Sequence, residues 1–219
     1  MPLDQTHSVC CTIEAAFPLH GAHLPRHHGT ALYAALCEQP DCGTWLAAAD
    51  HVAIAPITGR PDADGLLALT PESRLLLRLP PAELPQVLRL AGRRLELAAD
   101  GARHLLDIGE PRVRLPQPAA ELRADLVVFD DVPPAAGAAQ SGAPCTAEAF
   151  AAAMRRALAA LEIAAEPVPG PAGSLALPGR TVPGFGLHIA GLSADNSIHL
   201  QEAGLGDHHK LGCGVFVPG

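Results

Sequence analysis

Two short stretches concentrate side chains able to move protons or hold an anion. The first, His20-Gly-Ala-His-Leu-Pro-Arg-His-His28, carries four histidines and Arg26 within nine residues. Histidine is the side chain whose ordinary pKa suits proton transfer near neutrality. His28 is expected in the first turn of a helix, where the dipole disfavours the imidazolium and keeps the ring available as a base. Arg26 beside it suits a phosphate. The second stretch, Gly204-Leu-Gly-Asp-His-His-Lys-Leu-Gly-Cys-Gly214, places Gly204, Gly206, Gly212 and Gly214 around His208, His209 and Lys210. Glycine permits close backbone approach, and successive amides in such a loop can cradle an anion. Lys210, with His208 and His209 when protonated, adds positive charge. No Gly-Lys-Ser/Thr follows, so this is not a nucleotide P-loop.

Both stretches also admit structural readings. His28 shares a stripe with Leu32 and Ala35 and so suits a core-edge histidine. The glycine run suits a helix cap followed by a turn. His20, His23, His27 and His28 with Cys10 or Cys11 offer zinc ligands, in a spacing that matches no specific zinc signature. Tyr33 can donate a proton, stack on a base or simply pack. Arg155 and Arg156, adjacent on a later helix, can contact RNA or face water.

The whole chain narrows these choices. Its 219 residues are 48% apolar and 3% aromatic, so aliphatic side chains and alanine must fill a sizeable core. A net charge of −8 argues against indiscriminate coating of nucleic acid, which rests on many Lys and Arg contacts. It leaves room for a local basic groove. Met1 to Ser8 lacks a signal-peptide layout, and no apolar run approaches the ~20 residues of a membrane span. The expected compartment is the cytoplasm, without a membrane partner, and the six cysteines are expected to be reduced.

The elements that must position these residues follow from periodicity. Strands are expected at Val9–Ala15, His51–Ala55, Ser73–Leu79, Arg93–Ala98 and His104–Ile108, the last two joined by Asp100-Gly101. Along Ser73–Leu79, Leu75, Leu77 and Leu79 take one face, Arg74 and Arg78 the other. Phe17–Arg26 reads as a loop, His27–Cys37 as a helix. Pro80-Pro81 opens a helix with Leu84, Val87, Leu88 and Ala91 inward, ended by Gly92. After a boundary near Leu115–Pro118, a strand at Leu122–Phe129 restarts the pattern. An exposed Ala/Gly/Pro loop at Pro133–Pro144 follows, then a helix from the Thr146 cap to Leu161. A Pro/Gly loop is expected at Glu166–Gly173, strand material at Thr181–Leu192, a Ser193-capped helix stopped by Gly204, and a strand at Val215–Val217. The order is β-α-β-β-α-β, twice, within an α/β (α+β) chain. It fits two tandem ferredoxin-like units, residues 1–116 and 117–219.

The chain resembles the CRISPR repeat-processing endoribonucleases, in their Myxococcus-type branch. The resemblance runs through Phe17–Tyr33, Ile54–Gly59, Leu67–Pro80, Gly179–Ser193 and Leu200–Pro218, in the family's order. The last stretch, with the glycine run, is the most specific. It implies tandem ferredoxin-like folds and cleavage of a CRISPR repeat RNA hairpin without metal or other cofactor. The products would be a 2′,3′-cyclic phosphate and a free 5′-hydroxyl. It further implies His28 as base, with Lys210 and the glycine-loop amides contacting phosphate and RNA. The pattern departs at His27, where an acidic residue is expected, so the role stays open between His27 and His28. Tyr33 and Lys210 complete the candidate catalytic set. Arg26, Gly204, Gly206, His208, His209, Lys210, Gly212, Gly214, Arg155 and Arg156 form the candidate RNA contacts. Other effector-complex subunits are possible partners. Two alternatives stay open: a non-catalytic RNA-binding subunit of such a complex, and a zinc site built on the histidine cluster.

Overall fold

The computed structural model describes residues 12–62, 65–99, 101–132 and 145–219. The first half runs β1 (Ile13–His20), β2 (His23–Pro25), α1 (Gly29–Cys37), α2 (Gly43–Ala48), β3 (Ala53–Ile54), β4 (Arg60–Pro61), β5 (Leu66–Ala68) and β6 (Arg74–Leu79). A 3-10 turn then leads into α3 (Leu84–Leu88), β7 (Arg94–Ala99), β8 (Ala102–Ile108) and β9 (Arg112–Arg114). The second half runs β10 (Glu121–Val128), α4 (Ala147–Ala160), β11 (Pro167–Leu177), β12 (Arg180–Ala190), α5 (Ala194–Ala203), a 3-10 turn at His209–Leu211 and β13 (Val217–Pro218).

The second sheet has the order β11-β12-β10-β13, antiparallel throughout. In chain order that is 2-3-1-4, with α4 and α5 as the two crossovers, which is the ferredoxin-like arrangement. The first sheet has the order β3-β6-β1-β8-β7. It follows the same scheme, with the β7–β8 hairpin in place of a single last strand. β9 pairs with the start of β1, and β2, β5 and β4 form a separate small sheet. The chain is therefore α+β, built from two ferredoxin-like units in tandem. Among the described residues, no helix is long and apolar enough to cross a membrane.

Alternating apolar residues build the first core. Leu75, Leu77 and Leu79 of β6 are fully buried and stand beside Phe17, Ala15 and Ile13 of β1 across the ladder. In the second core, Phe150, Met154 and Leu158 of α4 pack on the sheet, and Thr146 caps the helix by accepting from the Ala149 amide. Ser193 caps α5 in the same way, through the Asn196 amide.

Three expectations need correction. Phe17–Arg26 is strand rather than loop over most of its length. Pro18 is tolerated because its carbonyl, and hence its missing donor, faces the break between β8 and β9, where Gly109 donates to Pro18. Glu166–Gly173 is the beginning of β11, an edge strand. Pro167 and Pro169 lie two apart, so their imide nitrogens can share its free side, and Pro171 falls in the register shift between Pro169 and Ala172. The helix expected from Leu84 to Ala91 unwinds after Leu88, which leaves Leu88 exposed while Leu90 enters the core. Arg78, on the face opposite Leu75, Leu77 and Leu79, is buried as well because α5 covers that face. α2 and the small sheet, with no clear periodic signature, were not expected. The strand start at Val9–Cys11, the residue Asp100 and the Pro133–Pro144 loop lie outside the described residues.

Candidate active site

The glycine loop is built by close packing before any ligand is considered. Gly206 and Gly214 have φ of 80° and 65°. A Cβ at Gly206 would stand 2.3 Å from the Val128 carbonyl oxygen, and one at Gly214 2.0 Å from that of Leu205. The amides of Asp207 and Gly214 donate to Val128 and Leu126, fastening the loop to β10. Those of Leu205, Leu211, Gly212 and Cys213 bond within the loop. These six amides are committed to protein carbonyls, so an anion could be met only by the remaining amides of the loop, those of Gly206, His208, His209 and Lys210.

Helix α1 abuts this loop. A Cβ at Gly29 would lie 2.1 Å from the Leu211 carbonyl oxygen, so only glycine lets the helix start touch the turn. One residue earlier, at the N-cap position, His28 is 3% exposed. Its Nδ1 donates to the Pro25 carbonyl at 2.9 Å, and its Nε2 accepts from the Ile57 amide at 2.9 Å. That pattern requires the neutral Nδ1–H tautomer. Burial pushes the pKa below the ordinary histidine value, against the pull of the Pro25 and Arg26 carbonyls. No lone pair is left to accept a substrate proton, so the geometry opposes His28 as base. Its neighbours Arg26 and His27 are exposed.

On the next turn of α1, Tyr33 borders a cleft of about 390 Å³. Asp50, Asp207, His208 and Lys210 also line it. Burial pushes the Tyr33 hydroxyl up to about 12, so it remains a hydrogen-bond donor across the neutral range. The Lys210 ammonium lies 5.6 Å from the Tyr33 ring centroid, a cation–π arrangement. Its three donors reach the carbonyls of Leu46 and Ala47, at the end of α2, and the Asp50 carboxylate at 3.2 Å. Lys210 therefore caps α2 and ties the glycine loop to the first unit. A phosphate would have to displace one of those acceptors.

His208 adopts a left-handed backbone, φ 64°. Its Nε2 lies 3.0 Å from Asp130 Oδ1, while Arg180 holds Oδ2 at 3.0 Å. Asp207 Oδ2 accepts from the Asp130 amide at 2.8 Å. The His209 ring lies against Gly204 and Gly214, its Nε2 without a hydrogen-bond partner, and burial lowers its pKa. Arg155 and Arg156 are exposed on α4, away from the cleft lining, and Arg156 pairs with Asp131 at 2.9 Å. Asp130 and Asp131 thus tie the glycine loop, β12 and α4 together. Neither Asp130 nor Asp50 was singled out from the sequence. Asp130 lies 78 residues from His208, and no local pattern joins them.

Among the described residues, no three His, Cys, Asp or Glu side chains converge as a metal site. His28 already spends both ring nitrogens on the protein. Cys10 and Cys11 of the zinc alternative lie outside the described residues.

The fold defines a class, proteins of two ferredoxin-like units in tandem, and solved structures of that class overlay on nearly the whole chain. A Cas6-related protein from Pyrococcus furiosus matches with a TM-score of 0.53 at 13% identity, covering 94% of this chain and 97% of its own. A RAMP protein described as binding different RNA substrates matches with a TM-score of 0.56 at 13% identity, covering 94% and 98%. The family model described as Cas6 Crispr matches residues 13–219. The CRISPR-associated endonuclease Cas6 of Myxococcus xanthus (strain DK1622) is 31% identical over 206 residues, 94% of this chain and 81% of the relative. This chain belongs to the Cas6 CRISPR family.

Proposed function

We propose that this protein is an endoribonuclease that cuts CRISPR repeat RNA at a hairpin, without a metal. It leaves a 2′,3′-cyclic phosphate and a 5′-hydroxyl. The 2′-oxygen attacks the adjacent phosphorus, its proton passes to a base, the P–O5′ bond breaks and O5′ takes up a proton. The observation that carries this reading is the convergence of two chain segments distant in sequence. The start of α1, with exposed Arg26 and His27, meets the glycine loop at Gly29 and Leu211, beside a cleft bordered by Tyr33, His208 and Lys210.

Within that frame His27 is the base, since its ring is exposed while that of His28 is locked. His28 is a positioning residue that fixes the start of α1. Tyr33 donates to a nonbridging phosphate oxygen, and Lys210 adds charge by exchanging Asp50 for phosphate. Arg26, Arg155 and Arg156 contact the RNA backbone. The enzyme works in the cytoplasm, where array transcripts are made, alone or beside other effector subunits.

A second reading, a non-catalytic RNA-binding subunit, is favoured by the engagement of His28 and Lys210 with protein partners. Incubation of the repeat hairpin from the same genome with protein in excess EDTA separates the two. Cleavage to a cyclic-phosphate end supports the enzyme. Binding without a cut supports the subunit.

A further inference from the structure

The cleft holds one imidazole whose orientation is fixed and whose outer nitrogen is free. His208 Nε2 is tied to Asp130 Oδ1 at 3.0 Å, and among the described residues Nδ1 has no protein partner. The carboxylate is itself fixed twice, by Arg180 on Oδ2 and by Asp207 on the Asp130 amide. A third group that orients the acid–base side chain is the arrangement by which proteins select one working nitrogen of a histidine. The backbone supports the same assignment. His208 and Glu162 are the two non-glycine residues with positive φ among those described. Such conformations persist where the surroundings impose them, and they concentrate at functional sites. Here the His208 carbonyl accepts from the amides of Leu211 and Cys213, which holds the turn in place.

The other ionisable groups of the loop are spent or enclosed. Lys210 uses its three donors on α2 and Asp50, and His209 lies against two glycines. The charged groups around His208 are Asp130, with Arg180 on that carboxylate, and Asp50, Asp207 and Lys210 lining the same cleft. We propose that His208, oriented by Asp130, is the general acid of the cleavage, delivering a proton from Nδ1 to the departing 5′-oxygen. The inference rests on the endoribonuclease reading above and names a second proton-transfer group for it. His208 enters the step as the imidazolium and leaves it neutral. The 2′-hydroxyl proton passes to the base on the α1 side, and solvent restores both groups.

The test uses two repeat hairpins, one natural and one with sulfur replacing the bridging 5′-oxygen at the cut. A thiolate leaves without protonation, so it removes the need for an acid. The variant is His208→Asn, because asparagine tolerates the left-handed backbone. It should cut the natural RNA about 10²–10⁴-fold more slowly than wild type, the span usual for one general acid. On the sulfur substrate it should fall within a few-fold of wild type, with hairpin binding unchanged. Asp130→Asn should show the same split with a smaller loss. Equal slowing on both substrates, or no slowing on either, overturns the assignment. A wild-type protein that cuts neither RNA instead overturns the endoribonuclease reading, and the acid with it.

Discussion

At the scale of single residues, the proposed mechanism gives two adjacent histidines opposite duties. His28→Ala would leave the buried Ile57 amide and the Pro25 carbonyl without partners. Each such orphan costs about 1–3 kcal/mol, so a loss of about 2–6 kcal/mol is expected in urea unfolding. His27→Ala, on an exposed ring, should change stability by less than about 0.5 kcal/mol while slowing cleavage about 10²–10⁴-fold. A stable His28→Ala protein that has lost only cleavage would return the base to His28. The buried rings also set a pH dependence. His28 and His209 are held neutral below their ordinary value of 6.5. The unfolded chain takes up protons near that value while the native chain does not. Stability should therefore be flat above about pH 7 and fall as pH drops through 6.5 towards the lower native values. The limiting slope is about 1.4 kcal/mol per pH unit for each ring. His28→Gln should flatten the part due to His28, and equal slopes in wild type and variant would refute it. The stripe His28 shares with Leu32 and Ala35 already admitted a ring turned towards the core, beside its reading as a base. What the sequence does not show is its partner, Ile57, 29 residues away in an extended segment.

At the scale of elements, the contact between α1 and the glycine loop is the piece of architecture on which the proposed site depends. In a free helix, Gly→Ala is favourable by up to about 1 kcal/mol. At Gly29 the added methyl would meet the Leu211 carbonyl oxygen at 2.1 Å. Gly29→Ala should therefore lower the melting temperature and depress cleavage together, measured by thermal unfolding and by single-turnover assay. A more stable and fully active variant would show that the helix and loop do not need to touch. Periodicity makes many elements legible: β6 from alternating leucines, β7 and β8 around Gly101, α4 and α5 from their Thr146 and Ser193 caps. It fails where a proline-rich stretch is tolerated by its position in a sheet. Pro18 beside a break in the ladder and the prolines of the edge strand β11 look like loop residues until their neighbours are known. The glycine run was legible as a special backbone. Six of its amides satisfy β10 and the loop itself, a use the sequence does not distinguish from anion binding because close packing and anion binding ask for the same residue type.

At the scale of the whole molecule, the two halves share a buried ionic junction. Glu14 of β1 lies in register between Arg78 of β6 and Arg114 of β9. Arg78 Nε and Nη2 reach Glu14 Oε1 at 2.9 and 2.8 Å, and Arg114 Nε reaches Oε2 at 2.9 Å. The remaining Arg78 nitrogen, Nη1, donates to the Gln201 carbonyl in α5, at 2.9 Å. Gln201 is held in turn by its amide, which donates to Gln117 and to Ser197. Strand alternation sets Arg78 opposite the leucine face but says nothing of what covers it, because it knows only its own sheet. Helix α5, which covers this face, begins more than 100 residues later. Removing one partner of a buried ion pair typically costs about 3–5 kcal/mol, since the other charge remains uncompensated. Arg78→Ala should incur that loss and also free α5 from the first sheet. Urea unfolding, expected to be one cooperative step in wild type, should then separate into two, distinguished by probes in each half. Glu14→Leu with Arg78→Met should recover much of the stability, because apolar replacement of a whole pair removes the stranded charge. It should not recover coupling between the halves, because the donor to Gln201 is gone. A single transition in Arg78→Ala, with little loss of midpoint, would show that the junction is incidental. The helix-to-loop contact at Gly29 would then have to hold the proposed site together alone.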